Sequence, residues 1–140
     1  MNSGIKVTLD DARLRAFPAN LRREGKKLVR ATAKSIQGRM VIKIEHGPKT
    51  GRLYRHGNVV HQASAPGEAP ATDVGNLAGG ITTADGGPLT EFVDVGAEYG
   101  SHLEYGTSRM APRPFMKPSF EDERPAFNAG VAKLIVKARQ

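Results

Sequence analysis

Residues Ala19–His46 read ANLRREGKKLVRATAKSIQGRMVIKIEH, and the period of this stretch decides the fold. Leu21, Leu28, Val29, Thr32, Ala33, Ile36, Met40 and Ile44 recur at helical steps of three, four and seven, which line one side of an α-helix. A helix over 19–46 is predicted, with this stripe as its core face. Gly25 and Gly38 interrupt it, and each costs about 1 kcal/mol relative to alanine in a helix interior. Close packing against another backbone is the expected reason for both. Gly47-Pro48 ends the helix, because proline cannot continue it.

Working outward, Ile5, Val7 and Leu9 alternate as in a strand, so residues 1–9 form an edge strand or a lead. Asp10 and Asp11 are placed to cap a short helical turn through Phe17. Beyond the long helix, Arg52–Arg55 and Asn58–His61 are β-like runs joined at His56-Gly57, which predicts a hairpin of thin apolar content. Residues 62–73 are rich in Ala, Pro and Gly and are expected as a flexible surface loop, either disordered alone or functional. Asp73 to Leu77 reads as a turn or a single helical turn with Leu77 in the core. A second hairpin joins Ile81–Thr83 to Leu89–Val95 across Asp85-Gly86-Gly87. In its second strand Leu89, Val93 and Val95 share one face with Glu91, and Thr90, Phe92 and Asp94 share the other.

The stretch 95–118 then reads as a docking arm. Tyr99 and Leu103 stand four apart on one face of a helical turn, and Gly106 is placed to stop that turn at positive φ. Pro112, Pro114 and Pro118 hold Arg113 and Lys117 on an extended segment. Glu104 and Arg113 could clasp turn to arm, in a part-exposed pair worth about 1 kcal/mol or less. Phe120, Phe127, Val131, Leu134, Ile135 and Ala138 form a C-terminal helical stripe. Ser119 and Asp122 suggest its cap, and Pro125 is expected to kink or restart it, which leaves 126–137 as its secure part. The whole predicts one α+β domain over 1–140. In it a long N-terminal helix and a C-terminal helix pack on a small, mainly antiparallel β-sheet with a long Pro/Gly-rich loop.

Composition narrows the function. The chain has 140 residues and no cysteine, so disulfides and Cys-zinc sites are excluded. No window approaches the roughly 18 apolar residues of a membrane span, and no apolar signal region opens the chain, so no membrane role is expected and the protein should stay in the cytoplasm where it is made. His46, His56, His61 and His102 make no ligand spacing, Glu98 and Glu104 no acid/base pair, and Gly79-Gly80 and Gly86-Gly87 no phosphate loop. A protein without enzymatic activity, metal or cofactor is expected. The net charge is +7, and between Arg22 and Lys43 the cations Arg22, Arg23, Lys26, Lys27, Arg30, Lys34, Arg39 and Lys43 stand against one acid, Glu24. Such a basic helix face is either a solvated surface or an attractor of nucleic acid or an acidic protein.

The order Tyr99, Leu103-Glu104, Gly106-Thr107-Ser108, Arg109-Met110, Arg113-Pro114-Phe115, Pro118 resembles the gene-product-ten-like tail-component family of long-tailed bacteriophages. Ser64-Ala65-Pro66-Gly67-Glu68-Ala69-Pro70, followed by Asp73-Val74-Gly75-Asn76-Leu77, is similar to that family's second signature, in the family's order and near its spacing. The resemblance covers roughly residue 20 to the C-terminus. Val74 stands where Thr or Ser is usual, Gly100 where Ala is usual, and Gly80 where Ser often sits.

The resemblance implies a virion structural protein of the neck, a head-tail joining or tail-completion component assembled in the host cytoplasm. It implies a homo-oligomeric ring when assembled, a monomer when isolated, and partners among the connector or adaptor, the tail terminator and the tail tube. Tyr99, Leu103, Glu104, Arg109, Met110, Arg113 and Phe115 of the arm, with Pro66, Glu68 and Pro70 of the loop, are then the candidate protein contacts. The alternative is a basic nucleic-acid-binding module. It would use Arg22, Arg23, Lys26, Lys27, Arg30 and Lys34, which in a neck would face a DNA channel and touch DNA without selectivity.

Overall fold

The computed structural model describes residues 3–9, 16–71 and 76–139. Its elements are β1 (Ser3–Thr8), α1 (Ala19–His46), β2 (Leu53–His56), β3 (Val59–Gln62), α2 (Asn76–Gly79), β4 (Ile81–Asp85), β5 (Thr90–Val95), α3 (Gly100–Tyr105) and α4 (Met116–Ala138). The fold is α+β. An antiparallel sheet of order β1-β5-β4 supports the two long helices, and β2 and β3 form a separate two-stranded sheet. The turn expected between Asp10 and Phe17 falls mostly outside the described residues, as do residues 72–75.

Helix α1 has the predicted bounds and face: Val29, Ala33, Ile36, Met40 and Ile44 are fully buried. It packs on both the sheet and α4, and α4 also touches β1. In β5 the alternation holds, with Glu91, Val93 and Val95 turned inward. Register places Ile5 and Thr83 across from Val93, and Ile81 across from Val95, so the inner face is continuous over three strands. Burying one such aliphatic side chain contributes about 1.5–3 kcal/mol, which is how a chain without cysteine holds together.

The two long helices run antiparallel. Lys137 donates to Glu24 at 2.9 Å at one end, and Lys43 to Asp122 at 2.7 Å at the other, with Arg39 to Glu123 at 2.8 Å between them. A Cβ on Gly130 would lie 2.7 Å from Leu28 Cδ1, so glycine is what lets the helices approach there. The Lys43 hydrogen bond holds the Asp122 carboxyl below the usual carboxylate range. These pairs are largely exposed, so water and salt screen them and they orient the helices more than they stabilise them.

Five expectations for the helices are corrected. α4 starts at Met116, ten residues before the secure part of the predicted helix, and Pro125 lies inside it. Pro118 is in its first turn, where no backbone N–H is needed, so Lys117 is helical and not extended. Ser119 is no cap, because its hydroxyl donates to Phe115 O at 2.7 Å within the helix. Gly25 is buried as expected, but against side chains: a Cβ there would lie 2.9 Å from Leu89 Cδ2. Gly38 faces open space, with nothing within 4 Å of the added carbon. Gly38→Ala is therefore expected to stabilise the protein by about 0.5–1 kcal/mol, seen as a melting temperature raised by about 2–4 °C. A fall instead would mean that the position is packed.

Among the described residues no helix is long and apolar enough to cross a membrane.

Candidate functional site

The arm is built by backbone. After β5, the Gly96 N–H bonds Gly80 O at 2.9 Å, and α3 follows. Gly106 ends α3 at φ +76° with its N–H on His102 O at 2.8 Å. A Cβ there would sit 2.8 Å from Met110 O, so only glycine fits. Thr107 and Met110 then exchange backbone bonds of 2.8 and 3.3 Å across a tight turn that presents Arg109 to solvent. The chain returns antiparallel to α3, where the Arg113 N–H bonds Leu103 O at 2.6 Å.

Glu104 and Arg113 do not pair with each other. The carboxyl of Glu104 is buried and accepts three backbone N–H groups, from Phe115 at 2.8 Å, Met116 at 2.7 Å and Lys117 at 3.1 Å. These are donors of α4's first turn, which have no intrahelical partner, so Glu104 caps α4 from eleven residues upstream. Arg113 instead reaches the other signature: its Nε and Nη2 donate to Ser64 O at 3.3 and 3.2 Å. The two motifs are thus one structure, joined also by the Gly67 N–H on Pro112 O at 3.0 Å.

The segment expected to be a flexible loop has no helix or strand over 63–71, since β3 ends at Gln62, yet it is anchored at many points. Glu68 accepts from the Thr50 hydroxyl, the Thr50 N–H and the Ala65 N–H. The Thr50 hydroxyl bond holds the Glu68 carboxyl below its ordinary value; burial opposes it, and the two N–H bonds and Lys49 add to the lowering. Lys49 donates to Lys43 O at 2.9 Å and Ala69 O at 3.0 Å and so ties the segment to the end of α1. Burial pushes the Lys49 ammonium down, and Glu68 partly opposes this. Ser64 and Pro70 are buried.

The candidate contact residues therefore divide. Glu104, Phe115 and Pro70 lie inside the fold, and Leu103 packs against the core. Arg113, Met110 and Glu68 are half-buried, while Tyr99, Arg109 and Pro66 are exposed. Tyr105, which the sequence reading passed over, is 77% exposed at the end of α3 opposite Tyr99.

A larger surface was also missed. β2 and β3 carry Leu53, Val59 and Val60 at 57–63% exposure, and neither face of the hairpin meets a core. Leu53 and Val60 share one face with Arg55, and Tyr54 and Val59 share the other with His56 and His61. Tyr54 and His61 stack at 5.5 Å across the strands. The available signal was the missing alternation: Leu53-Tyr54-Arg55 and Val59-Val60-His61 give neither face to the interior.

On α1 the basic residues also divide. Lys26 bonds Asp85 at 2.8 and 2.9 Å, with Arg30 Nη2 3.9 Å from the same carboxyl, and the Lys26 bonds with the Gly87 N–H hold Asp85 below its ordinary range. Arg39 and Lys43 are used on α4. Arg22, Arg23, Lys27 and Lys34 are exposed and form no ion pair among the described residues. Among those residues no cluster of His, Asp or Glu is arranged to hold a metal. Compared with family models, with curated proteins and with solved structures, the chain matches none.

Proposed function

We propose that this chain is a structural component of a bacteriophage neck, which joins head to tail or completes the tail by protein–protein contact. The observation that carries the reading is the β2–β3 hairpin. A lone two-stranded hairpin is marginal in water, yet this one holds Leu53, Val59 and Val60 out to solvent on both faces. A partner that covers it removes that apolar surface from water, and head-to-tail contact between copies closes a ring. The arm and the 63–71 segment, joined through Arg113 and Ser64, agree with the two sequence signatures on which the family resemblance rests. Tyr99, Tyr105, Arg109 and Pro66 are exposed and supply further contacts.

The test is assembly: measure the mass of the pure chain across concentration, then its addition to isolated tails and to filled heads. Wild type is expected to form a ring or to add to one particle. The Leu53→Lys, Val60→Lys double variant is expected to melt like wild type and do neither. A wild-type chain that stays monomeric and adds to neither particle would overturn the reading.

A further inference from the structure

Beside α1 lies an open groove of about 620 Å³. One wall is the solvent side of the helix, with Arg22, Arg23, Lys26, Lys27 and Arg30. The other is the β4–β5 turn, where Pro88 and Leu89 supply a small apolar surface. Leu89 is held there at φ +55°, the one non-glycine residue at positive φ among the described residues. The first turn of α1 contains no acid, and among the described residues no side chain caps it. Cations near the positive end of a helix dipole are disfavoured, and an anion laid between them relieves both terms.

We infer that this groove takes the phosphate backbone of a nucleic-acid duplex, without sequence selectivity. Three features favour that over an acidic peptide. The cations stand in rows one helical turn apart, Arg22, Lys26 and Arg30 in one and Arg23 and Lys27 in the next, about 6 Å per step along the axis. The positive track then runs past the groove to the unpaired Lys34, which suits a long regular anion better than a short docked segment. The Pro88–Leu89 wall presents a proline ring and an aliphatic side chain, neither able to bond a peptide main chain. Base reading is not built in, since the lining has no aromatic to stack on and no Asn or Gln to read adenine. Asp85 already engages Lys26 and approaches Arg30, so the phosphates fall to Arg22, Arg23, Lys27 and Lys34. This inference is independent of the neck reading, which rests on the hairpin and the arm.

The experiment is binding of short duplex DNA to the full chain by fluorescence anisotropy across a salt series. Three or four phosphates neutralised give a log–log slope of about −3, equal for unrelated sequences. Arg23→Glu with Lys27→Glu is expected to lower affinity at least about tenfold and to flatten the slope by about 2 units. Both residues are exposed and form no ion pair among the described residues, so the melting temperature is expected to hold. Arg109→Glu with Lys117→Glu makes the same charge change outside the groove and is expected to leave most of the binding. Absence of binding at the lowest salt overturns the inference, as does equal loss in the two double variants. Strong preference for one sequence, or displacement of the DNA by polyglutamate at equal charge, does so too, the latter in favour of an acidic protein partner.

Discussion

Glu104→Ala is expected to cost about 3–5 kcal/mol, measured as loss of unfolding free energy in urea at unchanged slope. The substitution removes the acceptor for the N–H groups of Phe115, Met116 and Lys117, two of them at fully buried bonds. A buried donor left without a partner costs about 1–3 kcal/mol, more when a charged group had satisfied it. Water cannot readily replace the carboxyl, because Glu104 is only 5% exposed and Phe115 not at all. Glu104→Gln keeps one carbonyl oxygen, able to accept from Phe115 and Met116 as Oε1 does now. It turns an NH2 toward Lys117, so its loss should be about half that of alanine. If both variants melted with wild type, the capping role of Glu104 would be wrong. If glutamine behaved like alanine, the charge and not the bonding geometry would be what matters.

Phe115→Ala should be as severe, at about 3–5 kcal/mol, with a melting temperature lowered by about 10 °C or more. Phe115 is the largest fully buried side chain, and it joins the arm to the core cluster that includes Met116. A ring that anchored the arm to a neighbouring protein would leave the isolated chain's melting point unchanged when removed. The same measurement therefore separates an interior from an intersubunit role. The two losses should also not add, since the Glu104 carboxyl bonds the Phe115 N–H itself. A double-mutant cycle is expected to show a coupling of about 1 kcal/mol or more, with the double variant less damaged than the sum.

The sequence disclosed what repeats. The stripe from Leu21 to Ile44 gave α1 with its buried face, the alternation at 91–95 gave the central strand, and Gly106 gave the end of α3. It concealed what depends on one distant partner. Spacing pairs Glu104 with a cation held on the arm, Arg113, but a carboxyl beside a helix start gains more from three aligned N–H donors than from one part-exposed cation. Pro125 is why spacing secures α4 only from residue 126, ten residues after its start at Met116, whose cap is not local. Pro125 is tolerated because it and Glu121, whose carbonyl it leaves unbonded, are both exposed to water. At the candidate site the sequence indicated the arm and loop without their mutual contact through Ser64 and Arg113. It undervalued the hairpin, because a surface with no inward face has no periodicity to detect.

Strand order carries a consequence for how this chain reaches its native state. β1 pairs with β5, and 82 positions separate the hydroxyls of Thr8 and Thr90, which meet at 2.9 Å. On a ribosome, β1 emerges well before its partner exists, while α1 and the β2–β3 hairpin can form from neighbours alone. The inner face of the sheet, and with it one side of α1, stays open until β5 has been made and the long loop closed. Acquisition of structure should then be limited by this closure, with Val7 and Ile5 among the last side chains to leave water.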